Sequence, residues 1–133
     1  MVVDLNCHKV IRFFLSIIFF TFLWSNGFSA NLNFEKIAKL KDPWGSSFIS
    51  EDEIIVTEKS GKIKIINIAT KEILEVKHNL NFLEYGQGGL LDIIYQNNTV
   101  WISYTENRVN WKTSTSIAKA KLNKQELNFK NIF

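Results

Sequence analysis

The stretch Tyr85-Gly86-Gln87-Gly88-Gly89-Leu90-Leu91-Asp92 is the part of this chain best suited to meet a ligand. Three glycines enclose one glutamine just before an apolar run. Glycine lets a backbone approach a bound molecule closely, and the Gln87 amide can both donate and accept hydrogen bonds. No dinucleotide fingerprint or phosphate loop fits, because no helix is expected to follow. A flexible connector between two sheets has the same composition, so the residues alone leave both readings open.

The other residues with chemical potential are few. Beyond the first 30 residues there is one histidine, His78, and no cysteine. No Ser–His–Asp set and no zinc-ligand spacing can be assembled, so neither catalytic residues nor metal ligands are assigned. His78 falls at the end of an expected strand and reads as a partly exposed surface histidine. Glu51-Asp52-Glu53 reads as a solvated turn, because it lacks the alternating oxygen ligands and closing glutamate of a calcium loop. Asn97-Asn98-Thr99 matches a glycosylation acceptor, and a turn explains it equally well.

The elements that must position Gln87 are strands. No window of residues 31–133 sustains an apolar 3.6-residue period for three turns, whereas short β-branched runs between turn residues recur. Strands are expected at 47–50, 54–58, 63–68 and 72–77, then at 90–95, 100–105, 116–122 and 127–133. Ser60-Gly61 and Gln96-Asn97-Asn98 are expected turns. Val100, Ile102 and Tyr104 should share one face, as should Ala118, Ala120 and Leu122. The two sets of four begin about 43 residues apart, which is the spacing of propeller blades. A β-sandwich or an open meander is the competing arrangement. In a propeller, the loop before an innermost strand opens at the mouth of the central channel, and Gln87 lies in such a loop.

Two blades cannot close a ring of the usual four to eight. A further strand is expected over 32–40 with no partner of its own. The expectation is therefore an all-β chain forming the N-terminal third of a six-bladed β-propeller, prone to aggregate alone.

Residues 1–30 read as an export signal. Lys9 and Arg12 precede an apolar core over 13–24, and Ser25 to Ala30 are mostly small. A spanning helix needs about 20 apolar residues, more than this core provides, so no stable membrane span is expected after cleavage. Cys7 precedes the core and does not suit lipid attachment. A periplasmic or secreted location follows, with residues 31–133 as the body, and an uncleaved leader serving as a membrane anchor is the competing reading. The net charge of +3 is small and scattered, so no nucleic-acid partner is expected. A composition 46% hydrophobic with a single proline excludes a disordered tail or a collagen.

Four stretches then point to a family. Asp42-Pro43-Trp44-Gly45 with Phe48, Val56-Thr57-Glu58-Lys59-Ser60-Gly61-Lys62-Ile63, Gly86-Gln87-Gly88-Gly89-Leu90-Leu91-Asp92 and Trp101-Ile102-Ser103-Tyr104 occur in order. This pattern resembles the start of the soluble PQQ-dependent sugar dehydrogenases, the glucose/sorbosone dehydrogenase family. The resemblance implies a secreted or periplasmic six-bladed propeller that binds pyrroloquinoline quinone (PQQ) and calcium. It implies an oxidoreductase in which a histidine takes the proton from a sugar's anomeric hydroxyl while hydride passes to the quinone. Its partners would be a sugar and an electron acceptor. Gln87 matches a family glutamine lining the cofactor and substrate pocket, and Trp44 and Gly45 match a packing motif. No residue here matches the family's catalytic histidine, since His78 is in the wrong place. The family's histidine–proline–aspartate turn is replaced by Gln96-Asn97-Asn98. The chain by itself is therefore expected to be inactive. The rival reading is a non-catalytic secreted propeller that binds carbohydrate or protein.

Overall fold

The computed structural model describes residues 12–15, 32–109 and 112–133. Two compact units are distinguished, Met1–Phe34 and Glu35–Phe133. In the first, residues 12–15 are helical. The rest of the expected leader, with its cleavage point and Cys7, lies outside the described residues. Among the described residues no helix is long and apolar enough to cross a membrane.

The second unit is all-β. Its strands are β1 (Pro43–Phe48), β2 (Glu53–Glu58), β3 (Lys62–Asn67), β4 (Ile73–His78), β5 (Leu90–Gln96), β6 (Thr99–Asn107), β7 (Thr113–Lys121), β8 (Glu126–Leu127) and β9 (Lys130–Asn131). They form one sheet in the order β1-β2-β3-β4-β8 and another in the order β5-β6-β7-β9. Consecutive strands are antiparallel, as short connections require.

The core lies between the two sheets. Ile55, Ile63, Ile65 and Val76 meet Leu90, Ile93, Val100, Ile102, Tyr104, Ala118 and Ala120. Strand alternation puts Val100, Ile102 and Tyr104 on one buried face, as the pattern predicts. Val100 pairs with Ala120 and Ile102 with Ala118, so each bulky residue stands beside a small one. Each buried Ile or Leu contributes about 1.5–3 kcal/mol. On the opposite face of the second sheet, the Lys119 ammonium lies 5.2 Å from the Trp101 ring centroid.

The turns follow their residue types. Gly61 adopts φ +99° between β2 and β3. Asn97 and Asn98 both adopt left-handed φ, 50° and 59°, which a two-residue hairpin of the primed type requires.

Three expectations change. The first strand, expected over 47–50, is Pro43–Phe48, because β2 continues the ladder back to a Pro43–Glu58 pair past an irregularity before Ser46. Proline is tolerated there as the strand's first residue. Residues 32–40 form no strand, since no ladder partner reaches them. The last strand, expected over 127–133, is two short ones in different sheets: β8 runs parallel to β4, and β9 pairs with β7. Asn79 explains the break. Its carbonyl oxygen accepts the Phe129 N–H at 2.7 Å and its amide donates to the Phe129 carbonyl at 3.1 Å. That clasp occupies the backbone groups a continuous ladder would need, while Leu127 and Phe129 turn into the core.

Candidate functional site

The Gln87 loop leaves and returns to a single residue of β6. The Thr105 carbonyl accepts the Leu83 N–H at 2.9 Å, and the Thr105 N–H donates to the Gly89 carbonyl at 2.9 Å. Within this closure the Gly88 N–H bonds back to the Tyr85 carbonyl at 2.7 Å, so Gln87 sits on a tight turn. Gly86 takes φ +57° and Gly89 φ +148°, conformations that L side chains rarely adopt. At Gly89 the Lys59 carbonyl also passes where a Cβ would stand. Glycine is therefore required here by close approach as well as by φ.

Gln87 is exposed at the turn, and among the described residues its side-chain amide has no hydrogen-bond partner. Space is open around Gly86, where a Cβ would have no neighbour within 4 Å. Tyr85, two residues earlier, is 82% exposed. An exposed amide and an exposed aromatic side chain on one loop are the kinds of group that bind a polar, ring-shaped ligand, the ring offering an apolar face and the amide fixing orientation. Tyr85 received no role from the sequence, although its place in the same glycine-rich loop was the available signal.

The first sheet supports this loop. The Lys59 ammonium donates to the Gly86 carbonyl at 2.5 Å, and the Lys59 carbonyl accepts the Leu90 N–H at 3.3 Å. Next to Lys59, Glu58 is buried. Its Oε1 accepts the Lys41 N–H at 2.8 Å and the Lys64 ammonium at 2.7 Å. Burial pushes the Glu58 carboxyl up, but the Lys41 N–H, Lys64 and Lys62 more than offset this, and it sits below the usual range.

A second network lies beside Thr105. Glu106 Oε2 accepts from Ser116 Oγ at 2.8 Å and Arg108 Nε at 3.0 Å, and Oε1 from the Asn131 amide at 3.0 Å. The Ser116 hydroxyl and the Arg108 guanidinium hold the Glu106 carboxyl below its usual range despite some desolvation. The Tyr104 hydroxyl donates to Asn131 Oδ1 at 2.6 Å, and burial pushes that phenol up, so it stays protonated. These groups satisfy one another and brace the end of β6.

The remaining candidates are structural. His78 Nδ1 accepts the Leu80 N–H at 3.2 Å, so the proton is on Nε2, which donates to the Gly61 carbonyl at 2.7 Å. Of the Glu51-Asp52-Glu53 run, Glu51 and Asp52 form a bend and Glu53 opens β2, where it pairs with Lys124 at 2.6 Å. Among the described residues no three His, Cys, Asp or Glu side chains converge on a point that could hold a metal. Asn97 is exposed in its turn.

Residues 40–133 match the family model described as Glucose / Sorbosone dehydrogenase. The chain belongs to that family. Among solved structures it is similar to the soluble aldose sugar dehydrogenase from Escherichia coli in the apo form, at 24% identity and a TM-score of 0.64, over 71% of this chain and 30% of that one. A glucose dehydrogenase is similar at 25% identity and a TM-score of 0.65, again over 71% and 30%. The PQQ-bound aldose sugar dehydrogenase from Streptomyces coelicolor is similar at 18% identity and a TM-score of 0.65, over 74% and 32%. The chain thus spans about 30% of the length of the solved structures it matches. No curated protein matches it. Gln87, Lys59 and Glu58 all fall within the segment matched by the glucose/sorbosone dehydrogenase model.

Proposed function

We propose that this chain is part of a PQQ-dependent sugar dehydrogenase that oxidises the anomeric hydroxyl of an aldose. The observation that carries this reading is the exposed Gln87 side chain, held on a tethered glycine turn inside the family-matched stretch. The parent protein is read as a six-bladed propeller, of which the two sheets are blades.

The residues present fit one edge of such a ligand. Gln87 offers a donor to a carbonyl or carboxylate oxygen and an acceptor to a hydroxyl, and the open space at Gly86 admits a flat ring. When bound, PQQ supplies the two-electron acceptor. The Gln87 amide would fix the sugar's hydroxyls relative to the loop, with the exposed Tyr85 ring available as an apolar contact. Calcium belongs to the reading by family, and no ligand for it is assigned among the described residues. Export to the periplasm or medium and an external electron acceptor complete the proposal, and N-terminal sequencing of the exported protein tests the leader.

The deciding experiment uses the full-length natural protein, PQQ, calcium and a redox dye across a panel of aldoses. Dye reduction that needs the cofactor, the calcium and a sugar is expected, and Gln87→Ala should raise KM about tenfold. No reduction with any aldose would remove the enzyme reading and leave a carbohydrate- or protein-binding propeller.

A further inference from the structure

We propose that Lys59 is a positioning residue for the Gln87 turn, so that the first sheet sets where the second sheet's ligand contact stands. The proposal rests on the reading of Gln87 as a binding contact.

The backbone of Lys59 is fixed on both sides. Its N–H donates to the Asp42 carbonyl at 3.0 Å, and its carbonyl accepts the Leu90 N–H at 3.3 Å. From that anchored position the ammonium reaches the Gly86 carbonyl at 2.5 Å. Gly86 directly precedes Gln87, so the bond sets the plane of the peptide that joins them. Little else can. The Thr105 bonds hold the base of the loop, at Leu83 and Gly89, and the Tyr85–Gly88 bond lies within the turn. Open space surrounds the Gly86 Cα where a side chain would be, so packing does not fix this peptide. A glycine at φ +57° swings easily without an external tie.

Lys59 is also kept available for this task. The adjacent Glu58 carboxylate is committed to the Lys41 N–H and the Lys64 ammonium. The geometry is that of a brace running from the β2–β3 turn of one sheet to the loop leading into β5 of the other.

The test compares Lys59→Met, which keeps the aliphatic stem, with Lys59→Arg, which keeps a cationic donor, in the full-length protein. Amide exchange at Gly88 reports the turn directly and needs no enzyme activity. It should rise about tenfold in Lys59→Met, as for loss of one charge-assisted bond, and return in Lys59→Arg. With PQQ, calcium and glucose, Lys59→Met should raise KM by about tenfold while kcat stays within about twofold, the signature of lost binding rather than lost chemistry. Adding Lys59→Met to Gln87→Ala should then cost little more than Gln87→Ala alone. Unchanged Gly88 exchange in Lys59→Met overturns the proposal. So does equal loosening in Lys59→Arg, which would show that the cationic donor is not what holds the turn. Faster exchange in Lys59→Met with KM unmoved in both Lys59→Met and Gln87→Ala leaves the brace standing and overturns the binding role of Gln87.

Discussion

The Thr57 hydroxyl donates to the Leu91 carbonyl at 2.6 Å and so ties the first sheet to the second. The same oxygen accepts the Gly45 N–H at 3.0 Å. One fully buried side chain therefore satisfies groups on β1 and β5, the first strands of the two sheets.

Replacing Thr57 by valine keeps the shape and removes both bonds. The buried Gly45 N–H and the partly buried Leu91 carbonyl lose their partner, which should cost about 2–3 kcal/mol. Urea denaturation of Thr57→Val beside Thr57→Ser is the measurement, and the serine variant should retain most of the stability.

Gly45→Ala should be at least as severe. A Cβ there would stand 2.6 Å from the Asp92 Cα and 2.8 Å from the Ile93 nitrogen, both backbone atoms that cannot swing aside. The sheets must separate locally, at a cost of about 3 kcal/mol or more. A melting temperature close to that of the wild type would contradict this packing.

Glu58 should make stability depend on acid. Its folded-state carboxyl is held below the usual range, so its contribution is present above the ordinary glutamate range. That contribution is lost as pH falls through the lowered value. At neutral pH Glu58→Gln should be less stable by about 1–2 kcal/mol. The gap should close in acid, because protonated glutamate and glutamine are then equivalent. Urea midpoints of both proteins at the two pH values give the comparison, which separates Glu58 from the similarly lowered Glu35 and Glu106.

Asn79→Ala should release the clasp on Phe129. Two hydrogen bonds to one buried residue's backbone disappear, worth about 1–3 kcal/mol together. Limited proteolysis should then cut near residues 123–131 first, because β8 and β9 have only two residues each. An unchanged cleavage pattern would mean that Leu127 and Phe129 hold this segment by packing alone.

Much of the frame was legible in the residues. The β-branched runs at 54–58 and 63–68 locate β2 and β3 closely, and alternation at Val100, Ile102 and Tyr104 identifies the buried face of β6. Glycines 86, 88 and 89 mark the loop, and two of them do take left-handed φ. His78 was legible only as a non-catalytic residue. That both ring nitrogens are spent on Leu80 and Gly61 depends on a contact across 17 residues.

By itself, the sequence determined the central strands β2 to β7, the inward face of β6 and the glycine turn that exposes Gln87, because side-chain period and glycine φ are local properties. Tertiary structure alone decided that residues 127–133 divide between two sheets, that Thr57 bonds to Leu91 and that Lys59 reaches Gly86. Those contacts join residues far apart in the chain. They arise from how two twisted sheets settle against each other, and no two-residue alternation encodes that offset.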